Sequence, residues 1–429
     1  MSDVIIAGGG LAGLAAAVRL ADAGFQVHLF EERGFLGGRA TSYPYPHSET
    51  EVIDNCQHIL LGCCEQLLDF YERLGVAGKV RFHDRYYFLE PGGRLSTLKS
   101  GLLPAPLHFA GSFASLKFLT AGEKFALACA LARMRRDRRT RDELDQITMR
   151  EWLDSQRQPG RLIERFWKPV LVSAVNEDLD RMAASHGFQV LKTGMLGGPR
   201  DSAMGVPSVP LGELYGAGAW RRYSNVTIHL QTSVSEVLLD ENEVRGVRIG
   251  DRVERADYYV SALPVDRASA LLAPLRIPAA EFGQSPITGI HLWFDRPVTD
   301  LPHAVLLDGT LHWMFNKREG RYLLVVVSAS RGLVDKSRAE VIETALRELG
   351  AYLPAVREAR LEKAHVVKET KATFSARPGL DALRPGTQTR YRNLFLAGDW
   401  TRTGWPATME GAVRSGYSAA EAISHAASL

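Results

Sequence analysis

Gly8-Gly9-Gly10-Leu11-Ala12-Gly13 sets four glycines within six residues near the start of the chain. Gly8, Gly10 and Gly13 follow G-x-G-x-x-G, in which one glycine makes a tight turn, one admits a pyrophosphate against backbone, and one lets a helix pack close on a strand. Leu11 and Ala12 would open that helix, whose free N–H groups favour phosphate charge. Glu31, followed by Glu32, supplies a carboxylate that accepts hydrogen bonds from a ribose diol. With no base before Arg33, a free 2′-hydroxyl is favoured over a 2′-phosphate, which fits FAD or NAD. Gly37-Gly38-Arg39 then offers a second flexible turn, with a cation able to return to the same pyrophosphate.

These groups need elements to hold them. Residues 4–7 form a short apolar run suited to a parallel strand buried on both faces. Residues 11–23 read as a helix stopped at Gly24, and 27–30 as a second strand ending at Glu31. Far downstream, 393–399 reads as a strand ending in Gly398-Asp399, and 406–412 opens a helix running to about residue 427. Between them, 226–228, 234–239, 244–249 and 258–260 are β-rich runs separated by turn signals. The expected fold is therefore α/β. A discontinuous Rossmann-like cofactor domain (1–74, 220–270 and 385–429) is interleaved with an α+β substrate domain (75–219 and 271–384). The first part of the latter reads as helix-rich and aromatic, with Phe109, Phe113, Phe118, Phe125, Trp152, Phe166 and Trp167. The second part offers strands at 291–294, 311–315 and 322–327 and a helix over 337–352.

Composition excludes several classes. A chain of 429 residues at 45% apolar and 24% charged can bury a sizeable core, and 52 basic against 49 acidic residues lack the footprint of a nucleic-acid binder. Cys56, Cys63, Cys64 and Cys129 contain no C-x-x-C pair and read as reduced structural thiols, with no metal site expected. The start lacks a basic n-region, so a cytoplasmic protein is expected, and no stretch reaches the roughly 18 apolar residues of a spanning helix. Six of the nine residues 133–141 are Arg. Two readings stand for this run: a solvated helix end, or, after the apolar residues 102–132, a lipid-facing edge peripheral to the inner membrane.

Glu31 followed by Gly37-Gly38-Arg39 resembles the flavoprotein family of amine oxidases, phytoene desaturases and protoporphyrinogen oxidases, and residues 393–412 agree with it. The resemblance implies FAD. It implies that Gly398 and Asp399 meet the ribityl and phosphate region, that Val234 meets the adenine through its backbone, and that the helix start at Thr408 and Met409 faces the flavin pyrimidine edge. A helix N-terminus there stabilises the negative charge of reduced flavin. Three further segments resemble the hydroxysqualene dehydroxylase branch of bacterial hopanoid biosynthesis. They are Asp54-Asn55-Cys56-Gln57-His58 with Leu60-Leu61-Gly62, Phe166-Trp167-Lys168-Pro169 with Asn176, and 396–416. Cys56 stands where that branch more often has glycine.

The branch implies that a C30 allylic alcohol, hydroxysqualene, is reduced to squalene with loss of water, the flavin being recharged by an external reductant. Departure of hydroxide needs an acid, and the pocket must be dry enough to keep water from recapturing the carbon. Asp54 and His58 are the candidate acids, and Asn176 the candidate for orienting the hydroxyl. A carotenoid-type desaturase would use the same parts in the oxidising direction. An amine oxidase would typically place a lysine on the strand at 289–294, where this chain has none, and a non-catalytic binding protein would not need intact Glu31, Gly37-Gly38-Arg39 and Asp399.

Overall fold

Val4, Ile5 and Ile6 are almost wholly buried because the strand they form, Asp3–Ala7, lies at the centre of a parallel sheet. A computed structural model describes residues 2–46, 48 and 51–428 of the chain. The parallel sheet has five strands in the order Val226–His229, Gln26–Phe30, Asp3–Ala7, Tyr258–Ser261 and Leu394–Leu396. Val4 stands opposite both Val27 and Tyr258, so strands from three separate parts of the sequence register on one another. All the strands run the same way, and their C-terminal ends share one edge, the rim where α/β sheets collect ligands.

The helix Leu11–Asp22 covers one face of this sheet and is itself almost entirely buried, which its run of Ala15, Ala16 and Ala17 permits. The last helix, Met409–Ala427, packs against it. Gly416 makes that approach possible: a Cβ there would lie 2.2 Å from the Ala12 carbonyl oxygen and 2.8 Å from the Ala16 nitrogen.

A second, seven-stranded sheet runs Leu361–Thr373, Ser285–Phe294, Tyr322–Ser328, Trp313–Arg318, His303–Leu306, Arg85–Leu89 and Leu95–Lys99. It is antiparallel except where His303–Leu306 meets Arg85–Leu89. Its central strands read as continuous apolar runs, Tyr322–Ser328 being buried throughout, because both of its faces are covered. The helices Ala121–Arg136, Met149–Ser155 and Arg338–Tyr352 each begin with a capping box, Thr120 with Glu123, Thr148 with Glu151 and Ser337 with Glu340.

Several sequence expectations need adjusting. The strand expected from residue 234 starts at Glu236, and the one expected from 311 starts at Trp313. The region 75–219 is less purely helical than it reads: Val80–His83, Arg85–Leu89, Leu95–Lys99 and Met204–Pro207 are strands, too short to impose a clear alternation. Its aromatics also divide. Trp152, Phe166, Trp167 and Phe118 are interior, whereas Phe125 is 73% exposed. The four cysteines are free.

The contact at Gly416 generates a prediction. Gly416→Leu forces the first and last helices apart and should destabilise the fold by about 2 kcal/mol or more, read as a lower urea midpoint. Gly218→Leu, where an added Cβ meets open space, should change it little.

Candidate functional site

At the C-terminal edge of the parallel sheet, the turn after Asp3–Ala7 is built with no room for side chains. Gly8 has φ +109°, and a Cβ there would lie 2.7 Å from the Ala262 carbonyl oxygen; a Cβ on Gly13 would lie 2.0 Å from that of Gly8. Gly10 is the residue before the helix and offers no side-chain cap, and the first turn, with Leu11 and Ala12 buried in it, carries no acid. The capped helices described above satisfy their own first N–H groups, whereas this one leaves them facing outward. The Gly37 N–H donates to the Gly9 carbonyl (2.9 Å), bringing the second glycine turn alongside the first. Gly38, at φ +63°, then approaches so closely that a Cβ would lie 3.1 Å from the Gly10 Cα.

Glu31 is buried at the end of Gln26–Phe30, its Oε2 accepting from the Gly9 N–H (2.7 Å) and its Oε1 from the Arg33 N–H (2.9 Å). Its carbonyl accepts from the Thr232 N–H (2.8 Å), which sets buried Val234 two residues from this clamp. Glu32 points elsewhere: it is half-exposed and 3.6 Å from Arg267, an exposed ion pair.

From the far end of the chain, Gly398 follows Leu394–Leu396 in a conformation where a Cβ would strike the Trp400 indole. Asp399, beside it, is buried and accepts from the Arg39 guanidinium (2.7 Å), which also donates to the Ala372 carbonyl (2.9 Å). Thr408 caps the last helix, its Oγ1 accepting from the Gly411 N–H (3.1 Å), and Met409 is that helix's first residue.

Asp54 and His58 are brought to the same rim. Asn55 donates to the Arg39 carbonyl, and a Cβ on Gly289 would lie 3.2 Å from the Asn55 carbonyl oxygen, so the 54–58 segment is wedged between the Arg39 turn and the second sheet. Every contact on Asp54 is a donor: Ser42 Oγ (2.6 Å) and the Leu211 N–H (2.9 Å) on Oδ1, Lys317 Nζ (3.3 Å) on Oδ2. Lys317 also donates to Gln57 Oε1 (3.0 Å). His58 Nδ1–H donates to the Cys56 carbonyl (3.1 Å), and burial lowers its pKa below the usual 6.5. Neutral His58 therefore presents Nε2 as an acceptor. Asp54 is thus anchored from three sides, with Lys317 as the cation beside it.

Asn176 does not join them. It caps the helix Lys168–Val175 at φ +59°, and its amide donates to the Ser285 carbonyl (3.0 Å) and Thr373 Oγ1 (2.9 Å) while accepting from the Ala329 N–H (2.7 Å). No donor remains to orient a substrate hydroxyl, so Asn176 ties strand ends together. Sequence reasoning missed Lys317 and Gln57, and it missed His291, which faces Tyr322 Oη (2.7 Å). Lysine was sought on 289–294; it comes instead from Trp313–Arg318, two strands away in the sheet, a placement no local pattern signals.

A family profile described as flavin containing amine oxidoreductase matches residues 11–424. The hydroxysqualene dehydroxylase of Rhodopseudomonas palustris is 30% identical, covering 98% of both chains. The 15-cis-phytoene desaturase of Synechococcus elongatus is 28% identical over 98% of this chain and 95% of its own. An oxidoreductase structure from Methanosarcina mazei matches the fold with a TM-score of 0.75 at 19% identity, covering 98% of this chain and all of that one.

The site's histidine chemistry extends to stability. Burial lowers the pKa of His186 and His291 to about 3 and of His303 to about 4, so these side chains stay neutral in the folded state well below the 6.5 of the unfolded chain. Unfolding then takes up protons, and stability should be lost as pH falls from about 6.5 towards 4. Asp145, raised to about 6 mainly by burial, acts in the opposite sense, and His312, lowered to about 4, in the same sense as the other histidines. The urea midpoint at pH 5 should correspond to a loss of at least about 2 kcal/mol relative to pH 7.5, and a flat profile would contradict this account.

Proposed function

The chain belongs to the flavin containing amine oxidoreductase family, and on that premise we propose that it removes the hydroxyl of hydroxysqualene to give squalene and water. It is an FAD-dependent oxidoreductase. Its residues fit the cofactor. Gly8, Gly9 and Gly13 of the cradle have no room for a Cβ, the helix behind it is uncapped, and two buried polar atoms at the same rim, Ser261 Oγ and Asn55 Oδ1, have no partner among the described residues.

Gly8, Gly10, Leu11, Ala12 and Gly13 would face the pyrophosphate, with Gly38 and Arg39 closing over it. Glu31 would exchange its hold on the Gly9 N–H for a ribose diol, with Val234 near the adenine. Gly398 and Asp399 would meet the ribityl chain, and the helix start at Thr408 and Met409 the flavin pyrimidine edge. The half-exposed Glu32 is left outside this set by its pairing with Arg267. The five-stranded sheet draws only on 1–74, 220–270 and 385–429 and the seven-stranded sheet only on 75–219 and 271–384, which supports a cofactor unit and a substrate unit with those bounds, joined where Leu60–Leu61 pairs with Met204–Pro207. When bound and reduced, FAD would supply a hydride from flavin N5 and would need an external donor to recharge it.

The observation that carries the reading is Lys317, a mostly buried cation that donates to Asp54 and Gln57. Loss of hydroxide from an allylic alcohol needs a proton delivered to the leaving oxygen, and Lys317 has one to give. Asp54 holds that ammonium in place through its own anchors on Ser42 and Leu211, and His58 Nε2 accepts a hydrogen bond from the substrate hydroxyl. The surrounding aliphatic and aromatic side chains exclude water and suit a C30 chain at about 0.8 kcal/mol per buried methylene. The similarity to a phytoene desaturase favours a second reading, in which a polyene precursor is desaturated with oxidised FAD and an external acceptor.

Anaerobic incubation with reduced FAD and hydroxysqualene, followed by mass spectrometry, should yield squalene. Absence of squalene, with phytoene desaturated aerobically, would establish the second reading instead. Lys317→Met should lower kcat about 100-fold with flavin absorbance retained. Gly13→Val, by contrast, should yield protein without visible flavin, and a yellow variant would remove the proposed cradle.

A further inference from the structure

Residues 100–116 carry no Asp, Glu, Lys or Arg, yet much of the segment is surface. Leu102 is fully exposed, and Leu103 and Leu107 are more than half exposed. The segment is nonetheless anchored. The Gly101 N–H donates to the His108 carbonyl (2.6 Å), and buried His108 reaches Ser202 Oγ (3.2 Å). Lys124 Nζ donates to the Ala114 carbonyl (2.6 Å), joining the segment to the first turns of the helix Ala121–Arg136. That helix reverses the usual pattern. Its outward face begins with Gly122, Phe125, Ala128 and Ala132, all exposed, and only then turns to Arg133, Arg135 and Arg136. Phe125 and Arg133 are about 12 Å apart along the helix axis.

The charge beside this apolar face is unbalanced. Residues 117–141 hold eight Lys and Arg against two acids, and one of those, Glu123, is buried against Arg161. Arg135, Arg136 and Arg138 have no acidic partner among the described residues, and Arg133 meets only the amide of Gln156.

We propose that residues 102–138 form a docking face for a bilayer containing anionic lipid, with Leu102, Leu103, Leu107 and Phe125 entering the acyl boundary and the free arginines binding headgroup phosphates. Charge complementarity selects this occupant. A second copy of the chain meeting this face about a two-fold axis would set one arginine cluster against the other. A phosphate surface instead matches the guanidinium fork and neutralises it. The face also connects inward. Phe109 and Phe113 pack into the same hydrophobic cluster as Ile59 and Leu61, the neighbours of His58. The docking face itself does not depend on which isoprenoid reaction the site performs.

Co-sedimentation of the full flavin-loaded chain with vesicles of phosphatidylcholine alone, and of phosphatidylcholine mixed with phosphatidylglycerol, tests this. The chain should pellet with the anionic vesicles, and less so as salt is raised. Arg135→Glu/Arg136→Glu/Arg138→Glu should weaken that partition at least about tenfold. Leu102→Asp/Leu103→Asp/Phe125→Asp should weaken it as well, with flavin content and urea midpoint unchanged in both variants. Wild-type protein that stays in the supernatant with anionic vesicles overturns the proposal. So does sedimentation of both variants at the wild-type level, or a dimer that the leucine and phenylalanine changes dissociate while vesicle binding is unaffected.

Discussion

The two ends of the chain meet backbone to backbone at Gly416, and the geometry of the rim depends on that contact. Because a Cβ there has no space, the last helix lies directly on the first, and Leu394–Leu396 enters the same parallel sheet as Asp3–Ala7. Parallel strands end on one edge, so Gly8, Gly38 and Asp399 arrive together although they are distant in sequence. A looser contact would move Asp399 away from Arg39 and separate the two halves of the cleft.

Polar groups buried along this rim are held by donors matched to acceptors. Arg384, almost fully buried, donates to Asp381, to the carbonyls of Asp399, Thr401 and Trp405, and to Thr403 Oγ1. One side chain thereby shapes the loop that carries Asp399. Glu410 does the same for a neighbouring element: its carboxylate accepts from the Gln66 and Leu67 N–H groups and so caps the helix Glu65–Arg73. Such groups are costly to bury unpaired, which makes their networks rigid and the rim well defined. Among the buried polar atoms without a partner in the described residues, Ser261 Oγ and Asn55 Oδ1 are the ones at this rim, where the proposed cofactor would lie.

The glycine cradle, Glu31 and the strand–helix–strand order were legible in the sequence because each depends on local rules, namely close backbone approach, helix termination and apolar runs. Val234 and Glu32 show the limit of that reading. Glu32 lies beside the motif in the sequence and Val234 just before a strand, but only the fold turns Val234 inward, two residues from the Glu31 clamp, and Glu32 outward to Arg267. Asn176 shows it more sharply: its amide is consumed by Ser285, Thr373 and Ala329, three partners that no spacing reveals.

The sequence by itself determined the cofactor chemistry, since a phosphate cradle needs glycine wherever a Cβ would collide, and glycine is visible in one dimension. It also determined that the cradle's two sides come from opposite ends of the chain. Only the tertiary structure decided how the polar groups at the rim are paired. Lys317 reaches Asp54 through the pairing order of the second sheet, and burial lowers the pKa of His58, both consequences of long-range packing and desolvation. The arginine run divided along the same line: its composition is plain in the sequence, but that its free guanidinium groups share a face with exposed Phe125 follows from which side of the helix the core occupies.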